Sequence, residues 1–247
     1  MSELHERIRD FWNADADVYD RAPSHAASDP VEAAAWRAAL ETALPAAPVS
    51  VLDVGAGTGA MSVLVAELGH RVTALDLSPA MLDRAREKAS ARGVAMSFVV
   101  GDSGSPPDGP FDAVIERHVL WTTPDPVAVL RAWRTVTRPG GRLVLFEGVW
   151  GRTDAAQRVR DAAAEALRRL YAIPHDHHAD YDADVVAQLP FARLPSAAPL
   201  IDAVFEAGWR SVRIRRLRDV EWARRIAAKP ILGALEGVPQ YSLVADA

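Results

Sequence analysis

Residues 51–60 read VLDVGAGTGA, an apolar run that closes on Asp53 and then on Gly55, Gly57 and Gly59 at alternate positions. Giving up three side chains within five residues signals that something approaches this backbone closely. The apolar run suits a buried strand, and the residues from Thr58 onward suit a helix. A glycine turn between the two lies outside the carboxyl end of a strand, where open parallel sheets bind their ligands. By itself the turn is ambiguous, because G-A-G-T-G-A also satisfies the dinucleotide pattern G-x-G-x-x-A.

Similar apolar runs recur outward from this point. They are VSVLDV at 49–54, RVTALDL at 71–77, MSFVV at 96–100, FDAVIE at 111–116 and RLVLFEG at 142–148. Near-continuous Val, Leu, Ile and Phe over a few residues fits strands buried on both faces of a parallel sheet. Amphipathic segments separate them. Ser78 before Pro79 reads as a helix N-cap with proline in the first turn, and RPGG at 138–141 reads as a helix stop. The alternation predicts an α/β fold with a mostly parallel, doubly wound sheet and helices on both faces.

Residues 1–44 read as helical, with Leu4, Ile8, Phe11 and Trp12 on one stripe, and are expected to form an N-terminal lid. The cofactor-binding core is expected over 45–148 and an inserted cap over 149–198. A helix and strands over 199–247 would complete the sheet of a single domain. Within the cap, Val159, Ala163, Ala166, Leu167 and Leu170 share a predicted helix face, and 172–198 reads as a polar, proline-punctuated loop. The runs SVRIRRL at 211–217 and YSLVADA at 241–247 read as the last strands. The arginines of the first suit a charged edge strand that resists pairing with another sheet. Trp121, Trp133, Trp209 and Trp222 read as packing residues, Trp121 also as a pocket residue because of its nearness to His118.

The chain has 247 residues, 49 % of them hydrophobic and 25 % charged, the balance of a globular protein. Its formal charge of −5 argues against nucleic acid as the partner. No apolar run is long enough for a membrane span. The sequence contains no cysteine, which excludes disulfides, thiolate metal sites and a thiol nucleophile, and fits a cytoplasmic location.

The acids near the strand ends narrow the ligand. Asp53 stands where a negative charge would repel a pyrophosphate and would suit an ammonium group instead. Asp76 closes the second strand, placed to accept hydrogen bonds from both hydroxyls of a ribose. Asp102 and Ser103 follow the third strand, where they could read an adenine edge. The pattern describes a nucleoside with a positively charged tail and no phosphate.

Taken together, VLDVGAGTGAMS, VTALDLSPAMLDRAREKA, VVGDS and FDAVIERHVLWTTPDPVAVLRAWRTVTRPGGRLVLFEG resemble the class I S-adenosylmethionine-dependent methyltransferases across roughly residues 49–148. The resemblance implies a Rossmann-like, seven-stranded sheet and S-adenosylmethionine as cofactor, with S-adenosylhomocysteine as product. It implies that Gly55, Ala56, Gly57 and Gly59 pack against the methionine end. Asp53 would hold the amino group, Asp76 the ribose, and Asp102 with Ser103 the adenine; Leu77, Met81 and Arg117 would complete the cofactor wall. WNADADVYDR resembles the N-terminal segment of small-molecule members, in which an aromatic such as Tyr19 closes over the cofactor.

Methyl transfer from an already activated donor needs positioning and water exclusion more than a reactive side chain. His118, just beyond the fourth strand, is the candidate base or substrate-orienting group. Trp12, His25, Trp121, Tyr171, His175 and His178 are the candidate residues for a small-molecule methyl acceptor. The stretch HDHHADYD at 175–182 contains metal-ligating side chains, but an irregular loop does not preform a coordination geometry, so no metal is assigned. Two other readings share the turn: a nicotinamide-dependent oxidoreductase, and a protein that keeps the cofactor site without methylating.

Overall fold

A computed structural model describes residues 2–148, 155–171, 181–194, 196–227, 235 and 238–247. Seven strands form one sheet in the order β3-β2-β1-β4-β5-β7-β6. They are β1 Ser50–Val54, β2 Arg71–Asp76, β3 Ser97–Val100, β4 Phe111–Arg117, β5 Thr137–Gly148, β6 Arg210–Arg216 and β7 Gln240–Asp246. The strands β3, β2, β1, β4 and β5 pair in parallel, and β7 runs antiparallel between β5 and β6. Strand order reverses between β1 and β4, which puts the glycine turn after β1 at the crevice expected for a ligand.

Both faces of the central strands are covered, which explains their unbroken apolar runs, while the edge strand β3 is only half-buried and Val100 is exposed. Along β5, Leu143 and Leu145 face one core while Val144 and Phe146 face the other. The first core is closed by α6 (Pro126–Thr135) and α9 (Ala198–Glu206), through Trp133, Leu130, Leu200 and Val204. The second is closed by α3 (Pro30–Ala43), α4 (Ala60–Glu67) and α10 (Arg218–Ala227), through Trp36, Leu40, Leu64 and Val220. Thus α3 belongs to the layers of the core, while α1 (Glu3–Asp15) overhangs the carboxyl edge of the sheet.

Local signals set the boundaries. Ser78 caps α5 (Pro79–Ala91) by accepting from the Met81 N–H, with Pro79 in the first turn. Asp125 caps α6 in the same manner through Ala128. The predicted stop at RPGG lies later than the helix end: α6 finishes at Thr135, and residues 138–141 bulge out of β5 between the pairs Phe111–Thr137 and Ala113–Arg142.

One packing expectation fails, that for Trp222. On α7 (Ala155–Leu170) the shared apolar face is unevenly covered: Val159 and Leu170 are 69 % and 73 % exposed, Ala163 and Leu167 are half-buried, and Ala164 beside them is buried. Trp222 is half exposed on α10, whereas Trp133 and Trp209 are fully buried. The arginine-rich strand β6 is the sheet edge, with Arg213 paired to Asp246 and Arg216 to Glu221.

Trp133 links core and crevice, because its buried indole N–H donates to the Ser103 carbonyl over 2.8 Å. Replacing it by alanine should lower the unfolding free energy by about 3–5 kcal/mol. Urea denaturation measures this, and a loss below about 1 kcal/mol would mean that the loop after β3 is held by other contacts.

Candidate active site

The carboxyl ends of β1, β2, β3 and β4 open into a cavity of about 280 Å³ roofed by α1. Its floor is the glycine turn, where Gly55, Gly57 and Gly59 have φ of 61°, 54° and 79°. Each glycine answers a different demand. A Cβ on Gly55 would lie 2.2 Å from Val119 Cγ2, and one on Gly59 would lie 2.9 Å from Ala85 Cβ, so those two permit packing. A Cβ on Gly57 would meet nothing within 4 Å and would intrude on the cavity that Gly57 lines. Ala56 and Gly59 do not line the cavity; the Ala56 N–H donates to the Leu75 carbonyl and the Gly59 N–H to the Ala56 carbonyl.

Asp76 ends β2 inside the cavity. Its carboxylate accepts from the Gly57 N–H at 2.7 Å and the Ser78 N–H at 2.8 Å. Burial pushes this carboxyl up to about 6. Asp102 also lines the cavity, accepting from the Gly104 N–H at 2.6 Å and facing His5 Nε2 at 2.8 Å. Ser103, Leu77, Met81, Arg117 and Tyr19 complete that wall. Asp53 is absent from it. It is buried beneath the glycine turn, takes a hydrogen bond from the Ser62 hydroxyl, and is pushed up to about 7 by burial.

The aromatic candidates separate. Trp12 lines the cavity, with its ring edge-on to Tyr19 at 5.8 Å and to Trp121 at 6.3 Å. Trp121 stands behind it, against Tyr181. His25 is also behind the wall, stacked on Tyr19 at 4.1 Å with Nδ1 3.0 Å from the Tyr19 carbonyl oxygen. Its own carbonyl accepts from Arg117, whose guanidinium lies over Trp36. Tyr171 is 64 % exposed at the end of α7. His175 and His178 lie outside the described residues. Among the described residues no group of three or more His, Cys, Asp or Glu is arranged to hold a metal.

His118 lines the cavity in a left-handed conformation, φ 61°. Its ring turns into the protein: Nδ1 is 3.2 Å from Glu147 Oε2, and solvent does not reach Nε2. Burial, with the charges of Arg117, Arg224 and His25, holds the imidazole well below its usual range. Burial pushes Glu147 up to about 8, and burial with the charges of Glu147 and Asp53 pushes Glu116 upward too. Near neutrality the His118–Glu147 contact is therefore a hydrogen bond between neutral partners rather than an ion pair.

Sequence reasoning missed His5 and Ile8 on α1 and Thr122, Thr123 and Asp125 after β4, all of which line the cavity. The first two were within reach, since Ile8 and Trp12 lie on the predicted stripe and His5 precedes Ile8 by three residues, at helical spacing. The turn TTPDP carries an N-cap and a proline, marking a helix start at the same sheet edge.

A family described as "Methyltransferase domain" matches residues 52–145. A ubiquinone biosynthesis O-methyltransferase of Xanthomonas axonopodis pv. citri is 36 % identical over 174 residues, 69 % of this chain and 69 % of that one. The chain belongs to the S-adenosylmethionine-dependent methyltransferases. The corresponding protein of Xanthomonas oryzae pv. oryzae is 34 % identical over 74 % of this chain and 75 % of its own length. In other Xanthomonas relatives, such as that of Xanthomonas euvesicatoria pv. vesicatoria, the match spans 60 % of the relative. Two solved structures share the fold. One, concerned with conversion of a disulfide bond into a thioacetal group during echinomycin biosynthesis, is 26 % identical with TM-score 0.55, covering 88 % of this chain and 80 % of that one. The other, Haemonchus contortus phosphoethanolamine N-methyltransferase 2 in complex with S-adenosyl-L-methionine, is 14 % identical with TM-score 0.63, covering 100 % and 60 %.

This methyltransferase therefore uses S-adenosylmethionine, and the nicotinamide reading is set aside. The cavity fits that donor: Gly57 leaves the backbone open, and the half-buried Asp76 carboxylate, held by backbone donors, has acceptor capacity left for hydroxyls. No helix among the described residues is long and apolar enough to cross a membrane.

Asp76→Ala should weaken S-adenosylhomocysteine binding about a hundredfold, the loss of two hydrogen bonds to a charged group. In the unaltered protein, affinity should hold steady above about pH 6 and fall below it, because the protonated carboxyl no longer accepts from both hydroxyls. Titration calorimetry reads both effects, and an unchanged affinity in the variant would reject the ribose role.

Proposed function

We propose that this methyltransferase transfers the methyl group to a hydroxyl oxygen of a small molecule. Oxygen is favoured over nitrogen by the relatives at 34–37 % identity, which are named as ubiquinone biosynthesis O-methyltransferases. A small acceptor suits the acidic net charge of −5, which disfavours nucleic acid, and the absence of cysteine supports a cytoplasmic reaction.

The observation that carries the reading is the cavity itself, in which Gly57, Asp76, Asp102 and Ser103 meet under an aromatic roof. When bound, S-adenosylmethionine supplies an electrophilic methyl group on a sulfonium. The chain's own residues have three tasks around it. Gly57, Asp76, Asp102, Ser103, Leu77 and Met81 hold the nucleoside and its tail. Trp12 and Tyr19, backed by Trp121 and His25, exclude water and present an apolar face to the acceptor. His118 shapes the wall beside the acceptor at the end of β4 while Glu147 holds its Nδ1 side. Because both ring nitrogens are turned inward, shaping the wall is a better account of His118 than direct proton abstraction.

Labelled methyl donor and a panel of hydroxylated and amino small molecules test this, with products identified by mass. Methylation of hydroxyl compounds and not of amines is expected, and the reverse preference would overturn the reading. His118→Ala should lower turnover by up to about a hundredfold while changing S-adenosylhomocysteine affinity less than about twofold. Unaltered turnover would make His118 a spectator.

A further inference from the structure

Behind the cavity wall formed by Gly55, Val119 and His118 lie three buried carboxyl groups on adjacent strands. Asp53 is on β1, Glu116 on β4 and Glu147 on β5, with exposures of 2 %, 0 % and 8 %. Asp53 is held by the Ser62 hydroxyl and backbone, and Glu116 Oε2 accepts from the Val119 N–H at 2.8 Å with the Leu120 backbone also against that carboxyl. The Glu116 and Glu147 carboxyls are themselves in hydrogen-bonding contact, and Glu116 Oε1 has no hydrogen-bond partner among the described residues. Glu147 meets His118 on one side and a small cavity of about 20 Å³ on the other, shared with Ser196 and Tyr241 and able to hold a water-sized molecule. Three carboxylates so close cannot all be charged without a compensating cation.

We propose that Asp53, Glu116 and Glu147 form a proton reservoir that gives up protons when a cationic ligand fills the cavity. The site thereby favours the sulfonium donor over its uncharged-sulfur product, by a margin that grows as pH rises. This rests on the methyl-donor site described above and is independent of the acceptor.

The charged groups facing Asp53 are Arg117 on β4 and Asp76 on β2, Glu116 faces Asp53 and Glu147, and the His118 that touches Glu147 is itself faced by Arg117, Arg224 on α10 and His25. Arg224 is engaged by Glu32 at 2.8 Å, and Arg117 by the His25 carbonyl and the Trp36 ring. The fixed charges of Arg117 and Arg224 act on the sulfonium equally at every pH, so they do not contribute to the pH dependence of the donor-over-product ratio. Asp76, which lines the cavity and is pushed up to about 6, also responds to the sulfonium, but below the range in which Asp53 and Glu147 ionise. In the empty protein, burial holds Asp53 at about 7 and Glu147 at about 8, with Glu116 shifted in the same direction. A cation lowers these values. Donor binding therefore releases protons below about pH 8 and tightens as pH rises, levelling off once the empty cluster is ionised.

Calorimetry of S-adenosylmethionine and S-adenosylhomocysteine in buffers of different ionisation enthalpy counts the protons released by each. More protons should leave with the donor near neutrality, and the donor-over-product affinity ratio should rise about tenfold from about pH 6 to about pH 8. Asp53→Asn and Glu116→Gln should each shrink both differences, and the unaltered protein decides the matter should either variant fail to fold. Equal proton counts with a pH-independent ratio overturn the proposal, as do differences that survive in both folded variants. Proton release without methylation of any hydroxyl compound would overturn the O-methylation reading and leave this inference standing.

Discussion

The Asp76 carboxylate joins two turns that arise from separate crossovers. It accepts from Gly57 in the turn after β1 and from Ser78 at the N-cap of α5. Ser78 in turn holds Asn13 of α1 through its hydroxyl. One side chain thus ties floor, wall and roof together. The geometry of the cavity depends on that half-buried acid keeping its two backbone partners. Its burial raises its proton affinity, and the same burial makes the remaining acceptor capacity valuable to a ligand offering hydroxyls.

The roof is fastened differently from the rest. The two main cores contain Trp36, Trp133, Phe146 and many aliphatic residues, whereas α1 contributes Ile8 to a small separate cluster with Val185 and Leu189. Polar ties supplement this: Arg7 with Asp182 and Asp184, Arg84 with Asp17, and Lys88 with Asp20. Exposed ion pairs contribute little each and are weakened by salt. Elements with few buried apolar contacts open at lower free energy than the core. The layered sheet is thereby the rigid part of the site, and the covering helix is the part with least holding it.

What the sequence revealed followed physical periodicity. Strands buried on both faces announce themselves as unbroken apolar runs, and β1, β2, β4 and β5 were legible for that reason, whereas the apolar run of β3 lies at the sheet edge, half-buried, with Val100 exposed. The glycines were legible because left-handed turns leave few alternatives to glycine, though their separate purposes were not: packing against Val119 and Ala85 depends on elements far away in the chain. Val159 and Leu170 on α7 and the half-exposed Trp222 mark where spacing stops being informative. Helical spacing identifies which residues share a face, and nothing local says what that face meets. The inward turn of His118 was hidden for the same reason, since its partner Glu147 lies on the neighbouring strand.

The acids illustrate a subtler failure. Read along the sequence, Asp53 and its neighbours look like fixed negative charges that attract a cation and repel phosphate. In the folded chain burial raises the proton affinity of Asp53 and Asp76, and of Glu147 on a neighbouring strand, so part of that charge is withheld until something positive arrives. Selection of a cationic ligand and protonation of the empty site are two expressions of the same unfavourable desolvation. Residue types alone could supply the acids and their order along the chain. Their charge state is a property of the packing around them, set by strands that the sequence brings together only on folding.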